Sequence, residues 1–156
     1  MSEHPFIYKN SVSSEWIDYN GHMNDAAYAK VFSLAVDEFI DYIELDEEAR
    51  SKYAYTIFTL ETHVCYLKEA NKNEKLLIEV QLLDSDSKRL HLFFTMKNGN
   101  EEVIATSEQM LMGMDMIQGK PAPFPQSVAV SIEKLRNEHK EQTIPKQAGR
   151  KIGIKR

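Results

Sequence analysis

The residues best suited to chemistry lie in the stretch WIDYNGHMN, positions 16 to 24 of the 156-residue chain. It holds a carboxylate at Asp18 and an imidazole at His22, and it directly precedes the strongest helical pattern in the sequence. A carboxylate can attack an acyl carbon or activate water, while free N–H groups at a helix start can hold the developing oxyanion. The stretch therefore has the two parts that acyl transfer needs.

The same residue types are also typical of a turn that only starts a helix. Aspartate and asparagine hydrogen-bond to their own backbone in turns, and Gly21 permits backbone angles that other residues avoid. Asn24 can cap the helix, and Asp25 is favourably placed in its positive first turn. Spacing alone favours the turn and leaves the catalytic interpretation open.

The spacing of hydrophobic residues predicts the helices and strands that must position this stretch. A helix is expected from about Asn24 to Ile43, and further apolar residues beside its main stripe indicate that it is covered on more than one side. A first strand is expected at residues 6–13, and a short helix at SIEKLRNEHK after three prolines. Between the helices, four segments alternate with period two and are joined by short polar connections typical of antiparallel pairing. In the first of them, one face is predicted to carry Phe58, Leu60, Val64 and Tyr66, and the other Thr59, Glu61, His63 and Cys65.

The loop and the element order resemble the hotdog-fold thioesterases. The pattern is similar to that of the acyl-CoA hydrolase branch that includes 4-hydroxybenzoyl-CoA thioesterase. It consists of Asp18, two residues, Gly21-His22, one residue and Asn24, followed by Tyr28 and the helix. The likeness covers about residues 5–118. The residues from Trp16 to Tyr28 and the stretch FTLETHVCYLKEA are similar to a subgroup that hydrolyses betainyl-CoA.

The resemblance implies an α+β hotdog fold. An antiparallel sheet of about five strands would wrap around one long central helix, with a short C-terminal helix added. We expect one domain over residues 1–140 and a basic tail over residues 141–156. The tail is interpreted as solubilising or loosely docked in preference to a phosphate-binding arm.

By position, the resemblance also implies the site. Asp18 would be the nucleophile or the general base toward water, and a backbone amide near Asp25 the oxyanion donor. Gly21 and Asn24 would support the loop. His22 would either contact the substrate carbonyl or brace the loop, and we favour the brace. The implied protein is a homodimer or a dimer of dimers, its sheets joined edge to edge. The resemblance further implies that the acyl group is contacted by Trp16 and Tyr28 and, from a second subunit, by Thr59, Glu61 and His63. The phosphates of coenzyme A would be contacted by Lys88 and Arg89.

Aromatic residues near the loop raise a separate possibility. Aromatic faces attract quaternary ammonium groups, so converging rings could hold a betaine-like acyl group. Aromatic residues at such spacings are more often ordinary core. The candidate rings are Trp16, Tyr19, Tyr28, Phe32 and Tyr66.

Composition narrows the other functional classes. A net charge of −5 argues against general nucleic-acid binding, and no apolar stretch approaches the roughly 20 residues that span a bilayer. The single cysteine, Cys65, and the lack of a visible secretory signal favour the cytoplasm. No histidine spacing is typical of a metal site, so we expect neither a metal nor a redox cofactor.

Two alternatives to hydrolysis remain at this stage. A hotdog hydratase or dehydratase would need an acid–base pair, which only His22 and Asp18 could supply. A non-catalytic thioester-binding module would use Asp18 merely to hold the turn.

Overall fold

The long amphipathic segment forms the helix around which the rest of the chain folds. The computed structural model describes residues 4–156. Helix α1, Asp25–Tyr42, lies between an Asn24 N-cap and an Ile43 C-cap, in agreement with the predicted bounds. Its buried face is broad, as expected for a central helix. It comprises Ala27, Tyr28, Val31, Phe32, Ala35, Val36, Phe39 and Ile40.

The strands form one antiparallel sheet that curls over α1. They are β1 (Ile7–Ser11), β2 (Tyr55–Tyr66), β3 (Lys75–Ser85), β4 (Arg89–Lys97), β5 (Val103–Asp115) and the two-residue β6 (Lys120–Pro121). Their order is β1-β3-β4-β5-β2, with β6 paired to β5. Inward residues such as Ile78, Leu92 and Phe94 are fully buried and share one core with α1. The predicted hotdog arrangement is confirmed.

Three elements have no counterpart in the sequence prediction. Helix α2, Glu47–Tyr53, occupies a charged segment between α1 and β2, and Asp46 caps it by accepting from the Ala49 N–H at 2.9 Å. The other two are the short β6 and a 3₁₀ helix at Ser14–Trp16. The predicted terminal helix is present as α3, Gln126–His139, and it begins before the predicted segment. It adds Val128, Ile132 and Leu135 to the core.

A bulge in β2 makes the predicted alternation wrong. The register with β5 shifts by one residue between Thr59 and Glu61, so Leu60 is an extra residue in the strand. Phe58 and Val64 therefore lie on opposite faces of the sheet, although uninterrupted alternation places them together. Thr59 is likewise separated from Glu61.

The basic segment after α3 lies against the outer face of the sheet, the face turned away from α1. The Gly149 N–H donates to Glu108 Oε1 at 2.7 Å. Glu108 stands opposite Phe93 of the neighbouring strand, and Phe93 is only 1% exposed despite its outward position. The segment is therefore held by a specific contact. In the described part of the chain no helix is long and apolar enough to cross a membrane.

Candidate active site

The residues before α1 form a tight hairpin whose base is Asp18 and His22. The Asp18 N–H donates to the His22 carbonyl at 2.8 Å, and the Gly21 N–H donates to the Asp18 carbonyl at 3.1 Å. Gly21 has φ of +80°, in the left-handed region where a Cβ would be strained. A turn closed by such a glycine is typical of three-residue hairpin loops. The sequence D-Y-N-G-H thus dictates the shape of this loop.

The carboxylate of Asp18 is folded back onto this hairpin. Its Oδ1 accepts from the Asn20 N–H at 2.8 Å and from the His22 N–H at 3.3 Å. Both bonds use the same oxygen, so the turn does not occupy Oδ2. The side chain is half-buried, neither sealed in the core nor directed wholly into solvent. The structural role expected from the turn is present, and it leaves one carboxylate oxygen for another partner.

Asn24 joins the hairpin to the helix start. Its backbone N–H and its side-chain Nδ2 both donate to the Trp16 carbonyl, at 2.8 and 2.9 Å. Its Oδ1 accepts from the Ala27 N–H at 2.9 Å, which confirms the predicted cap. The carboxylate of Asp25 accepts from the Ala26 N–H at 3.0 Å. Neither side chain takes the N–H of Asp25, one of the four amides that a helix start leaves without an intrahelical acceptor.

A cleft of about 310 Å³ opens beside this helix start. The rings of Tyr28 and Tyr66 meet edge to face with centroids 5.2 Å apart. The Tyr66 hydroxyl donates to the Asp25 carbonyl, and the Tyr28 hydroxyl to the Lys68 carbonyl, each at 3.2 Å. Burial raises the pKa of both tyrosines, so both hydroxyls are neutral donors at neutral pH. The cleft is lined by Met23, Asp25, Tyr28, Tyr66, Leu67, Lys68 and Glu69.

The ring of His22 is directed to the loop after β2. Its Nε2 lies 3.1 Å from Glu69 Oε2, and its backbone forms a bridge with Asn71. The adjacent Met23 N–H donates to the Ala70 carbonyl at 2.8 Å. These contacts tie the hairpin to residues 69–71, which is the loop-bracing role favoured from the sequence.

Comparison with known proteins matches this architecture. A family model described as the thioesterase-like superfamily matches residues 12–132, more than half of the chain. The chain belongs to the thioesterase-like superfamily.

Two relatives of this thioesterase-like chain carry specific names. The betainyl-CoA thioesterase of Pseudomonas aeruginosa is 37% identical over 155 residues, covering 99% of this chain and 98% of that protein. The L-carnitine dehydrogenase/betainyl-CoA thioesterase of Rhizobium meliloti is 36% identical over 93% of this chain, and the match covers 29% of that longer protein.

A solved structure is similar over nearly the whole length. A Staphylococcus aureus protein in complex with CoA superposes with a TM-score of 0.93 at 35% sequence identity. The superposition covers 99% of this thioesterase-like chain and 98% of that one.

Other predicted site residues of this thioesterase-like chain are not brought to Asp18 within one subunit. Thr59 and Glu61 are exposed on β2, an edge strand of the sheet. Glu61 and His63 line a different cavity, of about 370 Å³, on the outer face together with Arg150 of the C-terminal segment. Only a second subunit could bring these β2 residues to the hairpin.

The cations predicted to meet coenzyme A lie at the turn between β3 and β4. Arg89 is paired within that turn, because its Nη2 lies 2.6 Å from Asp86 Oδ2. The hydrogen bond from Arg89 lowers the pKa of Asp86 to about 2. Lys88 is half-buried, and its carbonyl accepts from the Gly113 N–H. The Arg89 charge is therefore already engaged within one chain.

The five candidate rings do not converge as one cage. Tyr28 and Tyr66 meet at the cleft, whereas Tyr19 is 97% exposed at the hairpin tip. Phe32 is fully buried, and Trp16 packs against the core. Helical spacing explains this outcome, because Tyr28 and Phe32 lie on the same buried stripe of α1, one turn apart. Tyr28 is in the first turn of the helix and reaches the cleft, whereas Phe32 is in the next turn and lies in the core.

Four cleft residues were not predicted as site residues: Met23, Leu67, Lys68 and Glu69. The last three lie in the stretch FTLETHVCYLKEA, but a period-two pattern gives no reason to choose residues beyond the strand end. Among residues 4–156 no group of three or more His, Cys, Asp or Glu side chains converges as a metal site.

Proposed function

We propose that the protein is a cytoplasmic acyl-CoA thioesterase in which Asp18 acts on the thioester carbonyl. The observation that carries this proposal is the joining of the Asp18 hairpin to the helix start through the Trp16 carbonyl. That link holds a carboxylate and the Asp25 N–H in one rigid unit. Family membership and the names of the relatives support the reaction class.

The division of roles follows from the hydrogen bonds. Asp18 Oδ1 is fixed by the turn, and Oδ2 faces the reaction as nucleophile or general base. As water or the carboxylate adds to the carbonyl carbon, the carbonyl oxygen gains charge that the Asp25 N–H stabilises. Collapse of the adduct breaks the carbon–sulfur bond and releases the thiolate of coenzyme A. In the general-base route, Asp18 takes a proton from the attacking water and passes it to the departing thiolate, which leaves the free acid and the thiol. In the nucleophilic route, collapse leaves an anhydride between the acyl group and Asp18, and water hydrolyses it to the free acid and the restored carboxylate, with the released proton taken up by the thiolate. This scheme uses no metal and no redox cofactor.

We infer that betainyl-CoA is the substrate. Two relatives that share at least 36% of their aligned residues with this chain are named for that activity. The relative solved with bound CoA supports recognition of the coenzyme moiety.

The competing hydratase would require His22 as the acid–base partner of Asp18. The His22 Nε2 pairs with Glu69, so its ring is engaged in bracing the loop. Nothing in the contacts of His22 favours proton transfer to a substrate carbon. Hydrolysis is therefore the function we propose.

A homodimer joined through β2 is part of the proposal. This strand ends the sheet, so one of its edges is unpaired within the chain. Phe58 and Leu60 on it are 46% and 53% exposed, which is unusual for an edge strand without a partner. Light scattering should give about twice the 18.0 kDa chain mass. A monomer at working concentration would contradict the dimer.

Thiol release from a panel of acyl-CoA esters tests the function. The panel holds short, long, aromatic and betainyl esters, and we expect the betainyl ester to be cleaved fastest. Replacement Asp18→Asn should lower kcat/KM at least about 100-fold, because a positioned base contributes 10²–10⁴-fold. Loss of enoyl-CoA absorbance without thiol release would favour a hydratase. Thermal stabilisation by CoA esters without any turnover would favour a binding module.

A further inference from the structure

The cleft beside α1 has an aromatic wall that is held rigidly and left open. Within one subunit Tyr66, the last residue of β2, is 52% exposed, and its hydroxyl is anchored on the Asp25 carbonyl. Its ring leans edge to face on Tyr28, which is only 4% exposed. The hydroxyl bond and the contact with Tyr28 hold the ring in place, and Tyr66 lines the cleft.

The charges around this wall are predominantly negative. Asp25 and Glu69 line the cleft. Lys68 also lines it, but its ammonium group forms an ion pair with Glu102, which is not a lining residue. The helix start contributes about half a positive charge, and the carboxylate of Asp25 at the first turn exceeds it. The cleft therefore favours a cation over an anion.

Size limits the group that fits. A volume of about 310 Å³ lies at the lower end of small-molecule sites, which span roughly 300–1,000 Å³. A long acyl chain would extend beyond the cleft, whereas a compact branched group fits within it. Quaternary ammonium groups are compact cations without N–H donors, so aromatic faces bind them and hydrogen bonds from their nitrogen do not.

We propose that the Tyr66 face, with Tyr28 behind it and Asp25 and Glu69 at its edge, is the subsite that selects a quaternary ammonium acyl group. This inference rests on the proposed thioesterase function and names the residues that determine its specificity. Tyr66 is the central specificity residue because it offers the open aromatic face. Glu69 adds long-range attraction, and its pairing with His22 fixes its position.

A pair of isosteric substrates tests the charge preference. Betainyl-CoA and 3,3-dimethylbutanoyl-CoA differ only in a quaternary nitrogen replaced by carbon. Because the cationic nitrogen also makes the betainyl carbonyl intrinsically more reactive, the preference is defined as the ratio of the two kcat/KM values divided by the ratio of the uncatalysed hydrolysis rates. We expect this preference to be at least about tenfold in the parent protein, the magnitude of a cation–aromatic contact. A preference below threefold would overturn the inference, and so would cleavage of other acyl-CoA esters with neither member of the pair.

Three tyrosine variants locate the effect. Tyr66→Leu removes the aromatic face and should reduce the preference to about threefold or less. Tyr66→Phe keeps the face and should retain the preference. Tyr53→Leu changes an exposed tyrosine outside the cleft and should leave both rates unchanged. An unchanged preference in Tyr66→Leu, with a melting temperature close to the parent, would contradict the assignment.

Direct binding separates this inference from the proposed function. Saturation-transfer NMR can compare glycine betaine with 3,3-dimethylbutanoate on the parent and on Tyr66→Leu. Betaine binding that is lost in Tyr66→Leu would support the subsite even if no thioester were cleaved. Absence of betaine binding to the parent, together with normal hydrolysis of neutral esters, would refute the subsite and leave the thioesterase intact.

Discussion

Two aspartate turns in this molecule are built alike and lie in different surroundings. In each, Oδ1 accepts from the amide two residues further on at 2.8 Å, for Asp18 and for Asp115. In each, the aspartate carbonyl accepts from the N–H of a glycine, Gly21 or Gly119. The two glycines have φ of +80° and +65°. The two turns therefore share these contacts, although the first encloses three residues and the second encloses four.

The difference lies in what each turn joins. The Asp18 turn is bonded through Asn24 to the start of the long α1, whereas the Asp115 turn connects β5 to the short β6. An aspartate turn is therefore not a functional signal by its own geometry. The neighbouring helix start, with its free N–H groups, is what gives the first turn a chemical use.

The largest expected difference between the two turns is in activity. Asp18→Asn and Asp115→Asn both retain an Oδ1 acceptor, so each should change the free energy of unfolding by less than about 1 kcal/mol. We expect kcat/KM for betainyl-CoA to fall at least about 100-fold in the first and to stay within threefold in the second. Similar losses in both variants would mean that the two turns share a structural role only.

The helix caps extend the comparison. Asn24→Ala and Asp46→Ala each remove an N-cap side chain and should each lower the free energy of unfolding by about 1 kcal/mol. Asn24→Ala also removes the side-chain bond to the Trp16 carbonyl and keeps only the backbone one, so we expect kcat/KM to fall about tenfold through misplacement of the carboxylate. Asp46→Ala should not change it. Urea unfolding and thiol-release assays on both variants measure these effects.

The glycines give a smaller contrast. Gly21→Ala and Gly119→Ala each place a Cβ in the left-handed region, at a cost of about 1 kcal/mol in unfolding free energy. No atom lies within 4 Å of the position that the added methyl group would take at either glycine, so steric clash adds nothing. We expect a severalfold loss of activity for Gly21→Ala alone. Equal activity in both variants would show that the hairpin tolerates rearrangement.

A third aspartate turn supplies the smallest effect. The pKa of Asp86 is lowered from its ordinary value of 3.8 to about 2, chiefly by the hydrogen bond from Arg89. A lowered pKa in the folded state stabilises the protein above the unfolded-state pKa, and this contribution is lost as the pH falls from about 4 to 2. Because the group is exposed, Asp86→Ala should cost less than about 1 kcal/mol at pH 7. The difference from the parent in chemical unfolding should shrink as the pH falls from about 4 to 2, where the contribution of the ionised carboxylate is lost.

The sequence predicts the framework well because its signals are local. The stripe on α1, the Asn24 cap and the hairpin connections each follow from residues near one another in the chain. The bulge at Leu60 is not predictable in this way, since it depends on pairing between β2 and β5. Helix α2 was not predicted because none of its residues is buried, so its charged segment has no hydrophobic pattern that indicates a helix.

The candidate site divides in the same manner. The Asp18 turn and the helix start follow from one short stretch of sequence. The cleft cannot be predicted in this way, because only the fold brings Tyr66 and Glu69 beside the start of α1. Tyr66, which donates a hydrogen bond to the Asp25 carbonyl, is 41 residues away from Asp25 in the sequence. Aromatic residues with helical spacing look alike in the sequence, although Phe32 is buried core and Tyr28 reaches the cleft.

The central claim is that the Asp18 carboxylate has a chemical role beyond holding its turn. Single-turnover thiol release, with enzyme in excess over betainyl-CoA, isolates the chemical step from substrate binding and product release. We expect the rate constant of Asp18→Asn to be at least about 100-fold below that of Asp115→Asn, at equal melting temperature. Rate constants within threefold of each other would contradict the claim.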